Sequence, residues 1–214
     1  MQKKKKEVSK ATVARLPLYL RFLQEANARG EKFISSSVIA QSITVSSVLV
    51  RKDLAVVSSA SGVPRKGFGI KTLIAEIEKF LGYDNRSDVV IVGAGGLGKA
   101  FLGYEGFKNN GMNIVAAFDK DDSLTGTSIQ GKPILPMKRF HSFVEENKIR
   151  IGIIAVPKNA AQEVLDKMAD AGIKAVWNFA PTALIAPKDM VLKTEDLAAS
   201  LSILAGKLFR RGEE

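Results

Sequence analysis

Val89-Val90-Ile91-Val92-Gly93-Ala94-Gly95-Gly96-Leu97-Gly98 is the stretch on which the fold turns. A short apolar run of strand length leads straight into a glycine-rich turn, and a helical pattern follows from 96 to 108. A Gly-x-Gly-x-x-Gly pattern alone is weak. Between a strand and a helix it reads as a dinucleotide-binding turn. Gly93 allows the tight turn, Gly95 lets the backbone approach a pyrophosphate, and Gly98 lets the helix pack close to the strand, with Ala94, Gly96 and Leu97 completing the cradle. The helix N-terminus offers free N–H groups and partial positive charge to the phosphates. A second strand ends in Asp119, 21 residues after Gly98. An acid at that point accepts hydrogen bonds from the adenosine ribose hydroxyls and repels a 2′-phosphate. NAD⁺ and NADH are therefore expected in preference to NADP(H), although Lys120, directly after Asp119, weakens the exclusion of a 2′-phosphate. The competing reading, a glycine-rich turn followed by a surface aspartate, has context and spacing against it.

Outward from this turn, apolar strand candidates at 89–92, 113–118, 150–156 and 174–178 are interleaved with helical segments at 96–108, 137–147 and 158–171. Near-continuous apolar strands alternating with helices imply a parallel sheet covered on both faces, an α/β Rossmann-like domain. A ligand at the carboxyl ends of its strands would also meet Val156-Pro157 and Asn178-Phe179-Ala180-Pro181. Both are small or apolar and suit a flat nicotinamide ring, and each also reads as ordinary strand-to-loop punctuation. Catalytic equipment is sparse. His141, beside Phe140 and Phe143, reads as a surface or partly packed side chain. Lys158 is either an acid/base or a solvated lysine at a helix start, and Trp177 reads as core. Asp196 to Arg211 forms a last amphipathic helix with Leu197, Leu201, Leu204 and Leu208 on one stripe.

The charge is uneven. The net charge is +10, and residues 1–84 carry 15 lysines and arginines against 7 acids. Such an excess points to a polyanion-binding module, or to a basic tail that aids solubility. This segment reads as helix, helix, helix, basic loop, helix. Val13, Leu16, Leu20 and Leu23 mark the first helix, with Pro17 in its first turn or at a kink. Ser35 caps a short helix through Ile43, and Ser46 caps another through Val57. That pair has helix-turn-helix spacing. Ser46, Ser47, Arg51 and Lys52 face DNA on this reading, and the loop from Ser58 to Gly69, with Arg65 and Lys66, forms a wing. A helical hairpin with a charged face remains the alternative. Leu73, Ile74, Ile77, Phe80 and Leu81 form one face of a final helix, and Tyr83 to Asp88 reads as a linker.

There is no cysteine and one histidine, which excludes disulfides, thiolate zinc sites and iron–sulfur ligation and leaves little room for a catalytic triad or a metal centre. No apolar run approaches the roughly 18 residues of a membrane span, and no signal-peptide pattern follows the N-terminal lysines. The expected setting is the cytoplasm, without membrane or metal.

Taken together, Arg15-Leu16-Pro17-Leu18-Tyr19-Leu20-Arg21, Val50-Arg51-Lys52-Asp53-Leu54, Val92 to Gly98, Ala117-Phe118-Asp119 and Asn178-Phe179-Ala180-Pro181 resemble the Rex family of bacterial redox-sensing transcriptional repressors, over about residues 9 to 210. The resemblance implies a winged-helix DNA-binding domain at 1–84 and an NADH-binding Rossmann domain at 85–196. It also implies a helix at 197–214 swapped into the partner of a homodimer, with operator binding relieved when NADH rises. It further implies that Arg51 and Lys52 face DNA, that Asp119 binds ribose, and that Tyr104 lies near the nicotinamide. Arg21 and Tyr104 would exchange partnership with Asp196 as the dimer opens and closes. The departures are Leu49 where the family usually has glutamine, Val56-Val57-Ser58 where it has Tyr-Phe-Gly, a wing one residue longer, and Phe68-Gly69-Ile70 where Gly-Tyr is common. The expectation is a repressor and no enzyme. The alternatives are a small NAD-dependent oxidoreductase or a CoA-binding module with a basic dimerisation domain.

Overall fold

A computed structural model describes residues 8–58, 66–83 and 87–211. Arg65, the loop residues before it and the linker residues 84–86 lie outside the described residues. The chain divides into two compact units, Met1–Asn85 and Arg86–Glu214.

The first unit holds α1 (Lys10–Ala28), β1 (Phe33–Ile34), α2 (Ser36–Ser42), α3 (Ser47–Val57), β2 (Phe68–Gly69) and α4 (Ile70–Leu81). Side-chain oxygens start three of the helices: Ser9, Ser35 and Ser46 accept from the N–H groups of Thr12, Val38 and Leu49. β1 and β2 pair antiparallel at the base of the wing, Phe33 against Gly69 and Ile34 against Phe68. Two-residue strands carry no periodicity, so the sequence pattern does not announce them. Pro17 sits inside α1, beyond the first turn. It is tolerated on the exposed side, which it shares with Val13. Leu16, Tyr19, Leu20 and Leu23 pack with Val50 and Leu54 of α3 and with Ile70, Leu73 and Ile77 of α4. Val13 and Phe80, expected on the apolar faces, are exposed.

A buried carboxylate joins α1 to α3. Asp53 is 2% exposed. Arg15 donates to it from Nε at 2.7 Å and from its terminal nitrogen at 2.9 Å; the Thr12 hydroxyl donates at 2.9 Å and the Tyr19 hydroxyl at 2.7 Å. Burial pushes the Asp53 carboxyl up, but the bonds from Arg15, Tyr19 and Thr12 outweigh it and hold the group below the usual carboxylate range. Burial and then the bond to Asp53 push the Tyr19 hydroxyl up to about 12. Arg51-Lys52-Asp53 therefore splits: two side chains face solvent and the third anchors the helix.

The second unit is an α/β sandwich. In chain order it holds β3 (Ser87–Val92), α5 (Gly96–Gly103), β4 (Met112–Asp119), β5 (Ser128–Ile129), β6 (Lys132–Pro136), α6 (Phe140–Glu146), β7 (Ile151–Ile154), α7 (Ala161–Asp170), β8 (Ala175–Asn178), β9 (Val191–Thr194) and α8 (Leu197–Arg211). The sheet order is β5-β6-β4-β3-β7-β8-β9, parallel throughout except for the β5–β6 pair. Alternate residues of β3 serve two cores. Val90 and Val92 pack with residues of α6 and α7 on one face, and Val89 and Ile91 with Leu102 of α5 on the other. This double burial is why the strand reads as an unbroken apolar run.

Several boundaries differ from the sequence pattern. The stretch read as linker ends earlier, because Ser87 and Asp88 already pair with Met112 and Asn113. The helix after the glycine turn stops at Gly103, since Tyr104 is extended, and a 3-10 segment Glu105–Asn110 replaces its last turns. β7 ends at Ile154, which frees 155–157 to leave the sheet. Trp177 is half-buried, stacked on Phe101 with centroids 5.9 Å apart. Asp196 accepts from the Ala199 N–H at 2.8 Å at the start of α8. Along α8, Leu201, Leu204 and Leu208 are 67%, 63% and 70% exposed. Among the described residues no helix is long and apolar enough to cross a membrane, and no group of acids and histidine is disposed to hold a metal.

Asp53→Ala is expected to destabilise the helical unit by about 3–5 kcal/mol, because it strands Arg15, Tyr19 and Thr12 without their acceptor. Urea unfolding followed by circular dichroism checks this. The Asp53 carboxyl is depressed in the folded chain, so its contribution is present at neutral pH. It is lost as pH falls below about 4, the unfolded value, through the lower folded value. Asp53→Ala removes that part of the acid dependence.

Candidate functional site

A cleft of about 570 Å³ opens at the carboxyl ends of β3, β4 and β7. From β3 the chain moves outward through β4 and β6, then returns to the other side of β3 with β7. A crevice forms where the winding direction reverses. Val92, Gly93 and Gly95 line one wall, Asp119 and Lys120 a second, and Ala155, Val156 and Pro157 a third.

The glycines divide the steric work. Gly93 has φ of +103°, and a Cβ there would stand 2.5 Å from the Ala155 carbonyl oxygen. A Cβ on Gly98 would collide with the Gly93 carbonyl oxygen, so α5 starts hard against the end of β3. Gly95 has no heavy atom within 4 Å of its Cβ position and borders the cleft, where a second backbone or a phosphate can approach. Asp119 Oδ2 accepts the Ala94 N–H at 2.6 Å, and Oδ1 accepts the Asp121 N–H at 3.0 Å. Each carboxylate oxygen retains a further lone pair for the cleft. The carboxylate therefore orders the turn as well as presenting acceptors.

The cleft also gathers residues the motif does not reveal: Leu124, Met137, Asn159, Glu163 and Lys167. Lys167 donates to Glu163 at 2.7 Å. That bond and then the charge of Lys167, with a smaller pull from Lys120, hold the Glu163 carboxyl below its usual range. Glu163 and Lys167 lie on α7, whose approach to the cleft depends on packing against the sheet; helical amphipathicity was the available signal, and it marks only which face is apolar.

The other expected residues are not among those that line this cleft. Ala94 is fully buried in the turn, and Gly96 and Leu97 lie in the first turn of α5. Tyr104 is 58% exposed and packs edge-on against Phe107, with centroids 5.0 Å apart. Phe179 belongs to an aromatic cluster, 4.8 Å from Phe101 and 4.4 Å from Trp177. Ala180 is buried, its N–H donating to Asn178 Oδ1 at 2.9 Å. For Phe179 and Ala180 the physical reason is position, since β8 lies one strand farther from the reversal point than β7.

On the helical unit Arg51 and Lys52 are exposed on α3. The Ser46 side chain is committed to the helix cap and Ser47 is half-buried. Lys66 is exposed with its ammonium 5.8 Å from the Phe33 ring centroid. Arg21 is exposed on α1, and Asp196 caps α8.

Residues 84–182 match a family model described as "CoA binding domain", and residues 7–55 one described as "Putative DNA-binding protein N-terminus". The chain is 39% identical over 201 residues to a redox-sensing transcriptional repressor Rex of Treponema denticola, covering 94% of this chain and 95% of that protein. It also resembles two solved structures of RSP at 34% identity. One is in complex with beta-NAD⁺ and operator DNA, with a TM-score of 0.90 over 96% of this chain and 94% of that one. The other is in complex with beta-NADH, with a TM-score of 0.86 over 96% of each. The winged-helix plus Rossmann-like architecture is thus that of a two-module regulator. The chain belongs to the Rex family of redox-sensing transcriptional repressors.

Gly95→Ala and Gly98→Ala are expected to separate ligand space from packing. Gly95→Ala leaves thermal unfolding unchanged but costs dinucleotide affinity at least tenfold, because its Cβ enters the cleft. Gly98→Ala lowers stability by about 1–3 kcal/mol through overpacking. Calorimetric titration and thermal melts of both variants check the pair.

Proposed function

We propose that this chain represses transcription as a homodimer that grips operator DNA through α3 and the wing and lets go when NADH occupies the cleft beside Asp119. One observation carries the reading. An open cleft walled by the glycine turn and the Asp119 carboxylate stands on one unit, and a capped helix presenting Arg51 and Lys52 to solvent stands on the other. The RSP structures, one with beta-NAD⁺ and operator DNA and one with beta-NADH, support the same assignment.

In this reading Gly93, Gly95 and Gly98 form the pyrophosphate turn, and Asp119 takes the adenosine ribose. Free ribose hydroxyls suit that acid better than the 3′-phosphorylated ribose of CoA. Val156 and Pro157 receive the nicotinamide. The reduced ring is neutral and enters an apolar wall without desolvating a charge, whereas the oxidised ring is cationic. In this reading the cofactor is sensed and not consumed. Phe179, Ala180 and Tyr104 join the nicotinamide end when the domains close, and Tyr104 and Arg21 then compete for Asp196 of the partner. Arg51 and Lys52 enter the major groove, and Arg65 and Lys66 meet the backbone from the wing. The exposed leucines of α8 find their cover on the second subunit. The protein acts in the cytoplasm, where its DNA lies.

Fluorescence anisotropy on labelled DNA from the protein's own upstream region, with NADH and NAD⁺ added separately, tests this. NADH is expected to release the DNA and NAD⁺ to do so poorly. Complete release, from 1:99 to 99:1, requires about a 10⁴-fold preference of NADH for the closed dimer. Identical behaviour of the two cofactors, or no effect of either, would leave a dinucleotide-binding dimer without a redox switch.

A further inference from the structure

The rotation of α3 about its own axis is set by what it buries. Val50, Asp53 and Leu54 point inward at 0%, 2% and 1% exposure. At 3.6 residues per turn the opposite stripe is Val48, Arg51, Lys52 and Ala55, and all four are exposed. Val48 lies three residues before Arg51 and four before Lys52, so the three side chains adjoin on one surface. Val48 is 50% exposed in the first turn of the helix, where recognition helices approach base edges. Leu49, beside it, is half-buried.

Arginine and lysine on this stripe have obvious partners in guanine edges and phosphates. An apolar side chain between them has one complementary group in the major groove, the C5-methyl of thymine. Valine suits the contact. In a helix its χ1 is held almost entirely in one rotamer, so its two methyls are presented in a fixed direction at little entropic cost.

We propose that Val48 is a specificity-determining residue that reads the 5-methyl group of a thymine next to the base pair met by Arg51. The inference rests on the DNA-binding reading above and adds a base to it. Val48 is a positioning-neutral surface residue, so its removal leaves the core and the buried Asp53 clamp in place.

The test uses the full-length protein. Duplexes are selected from a random pool, and each thymine of the selected site is then replaced in turn by deoxyuridine, which deletes only the methyl group. Affinities are measured for the wild type and for Val48→Ala, with thermal melts of both. The wild type is expected to lose about fourfold affinity per half-site at one thymine, the worth of one buried methyl-sized group. Val48→Ala is expected to be indifferent at that thymine, with an unchanged melt and unchanged responses elsewhere. A flat uridine scan in the wild type overturns the inference, and so does a sensitive thymine that stays equally sensitive in Val48→Ala. Either result leaves the DNA-binding reading standing. Failure to select any duplex removes that reading and this inference with it.

Discussion

A single buried carboxylate fixes which side chains α3 turns to solvent. Asp53 receives two hydrogen bonds from Arg15 and one each from Tyr19 and Thr12, all from α1. A buried charge with four donors cannot rotate out of its place without leaving Arg15 unpaired, and that penalty keeps α3 in one orientation. Its neighbours Arg51 and Lys52 are consequently turned to solvent. Arg21 lies on the same helix as the three donor residues, so any force on Arg21 acts on a rod already clamped to α3.

The second unit is arranged around a comparable contact, the start of α5 against the end of β3 at Gly98 and Gly93. That closeness brings the first turn of α5 to the mouth of a cleft floored by three parallel strands. Asp119 ties the mouth together by accepting the Ala94 N–H. The interior strand β3 carries both cores, so the turn that follows it sits on the most constrained part of the sheet. A ligand that closes over this turn works against a rigid base.

What the amino-acid sequence reveals here follows the range of the interactions. The parallel α/β fold is readable because strands buried on both faces become apolar runs. The helix starts are readable because Ser35 and Ser46 act on their own backbone. The demand at Gly98 is local too, since its Cβ would meet the Gly93 carbonyl, whereas that at Gly93 is set by Ala155, which follows the distant strand β7. Edge strands escape: Val191–Thr194 is mostly exposed, and Ser128–Ile129 is two residues long, so neither carries a continuous apolar signal. Asp53 escapes because a charged triplet on a helix looks like a solvated face, and the donors that bury it lie about 40 residues earlier. Glu163 and Lys167 reach the cleft only through the packing of α7, which no local pattern encodes.

Under the proposed switch the cleft and α3 are coupled, and coupling free energy is reciprocal. The most direct test is the affinity for NADH, measured by calorimetry on the free protein and on the protein saturated with its operator. Operator DNA is expected to weaken NADH binding by the same factor by which NADH weakens operator binding, with a smaller factor for NAD⁺. An NADH affinity unchanged by saturating operator would contradict it.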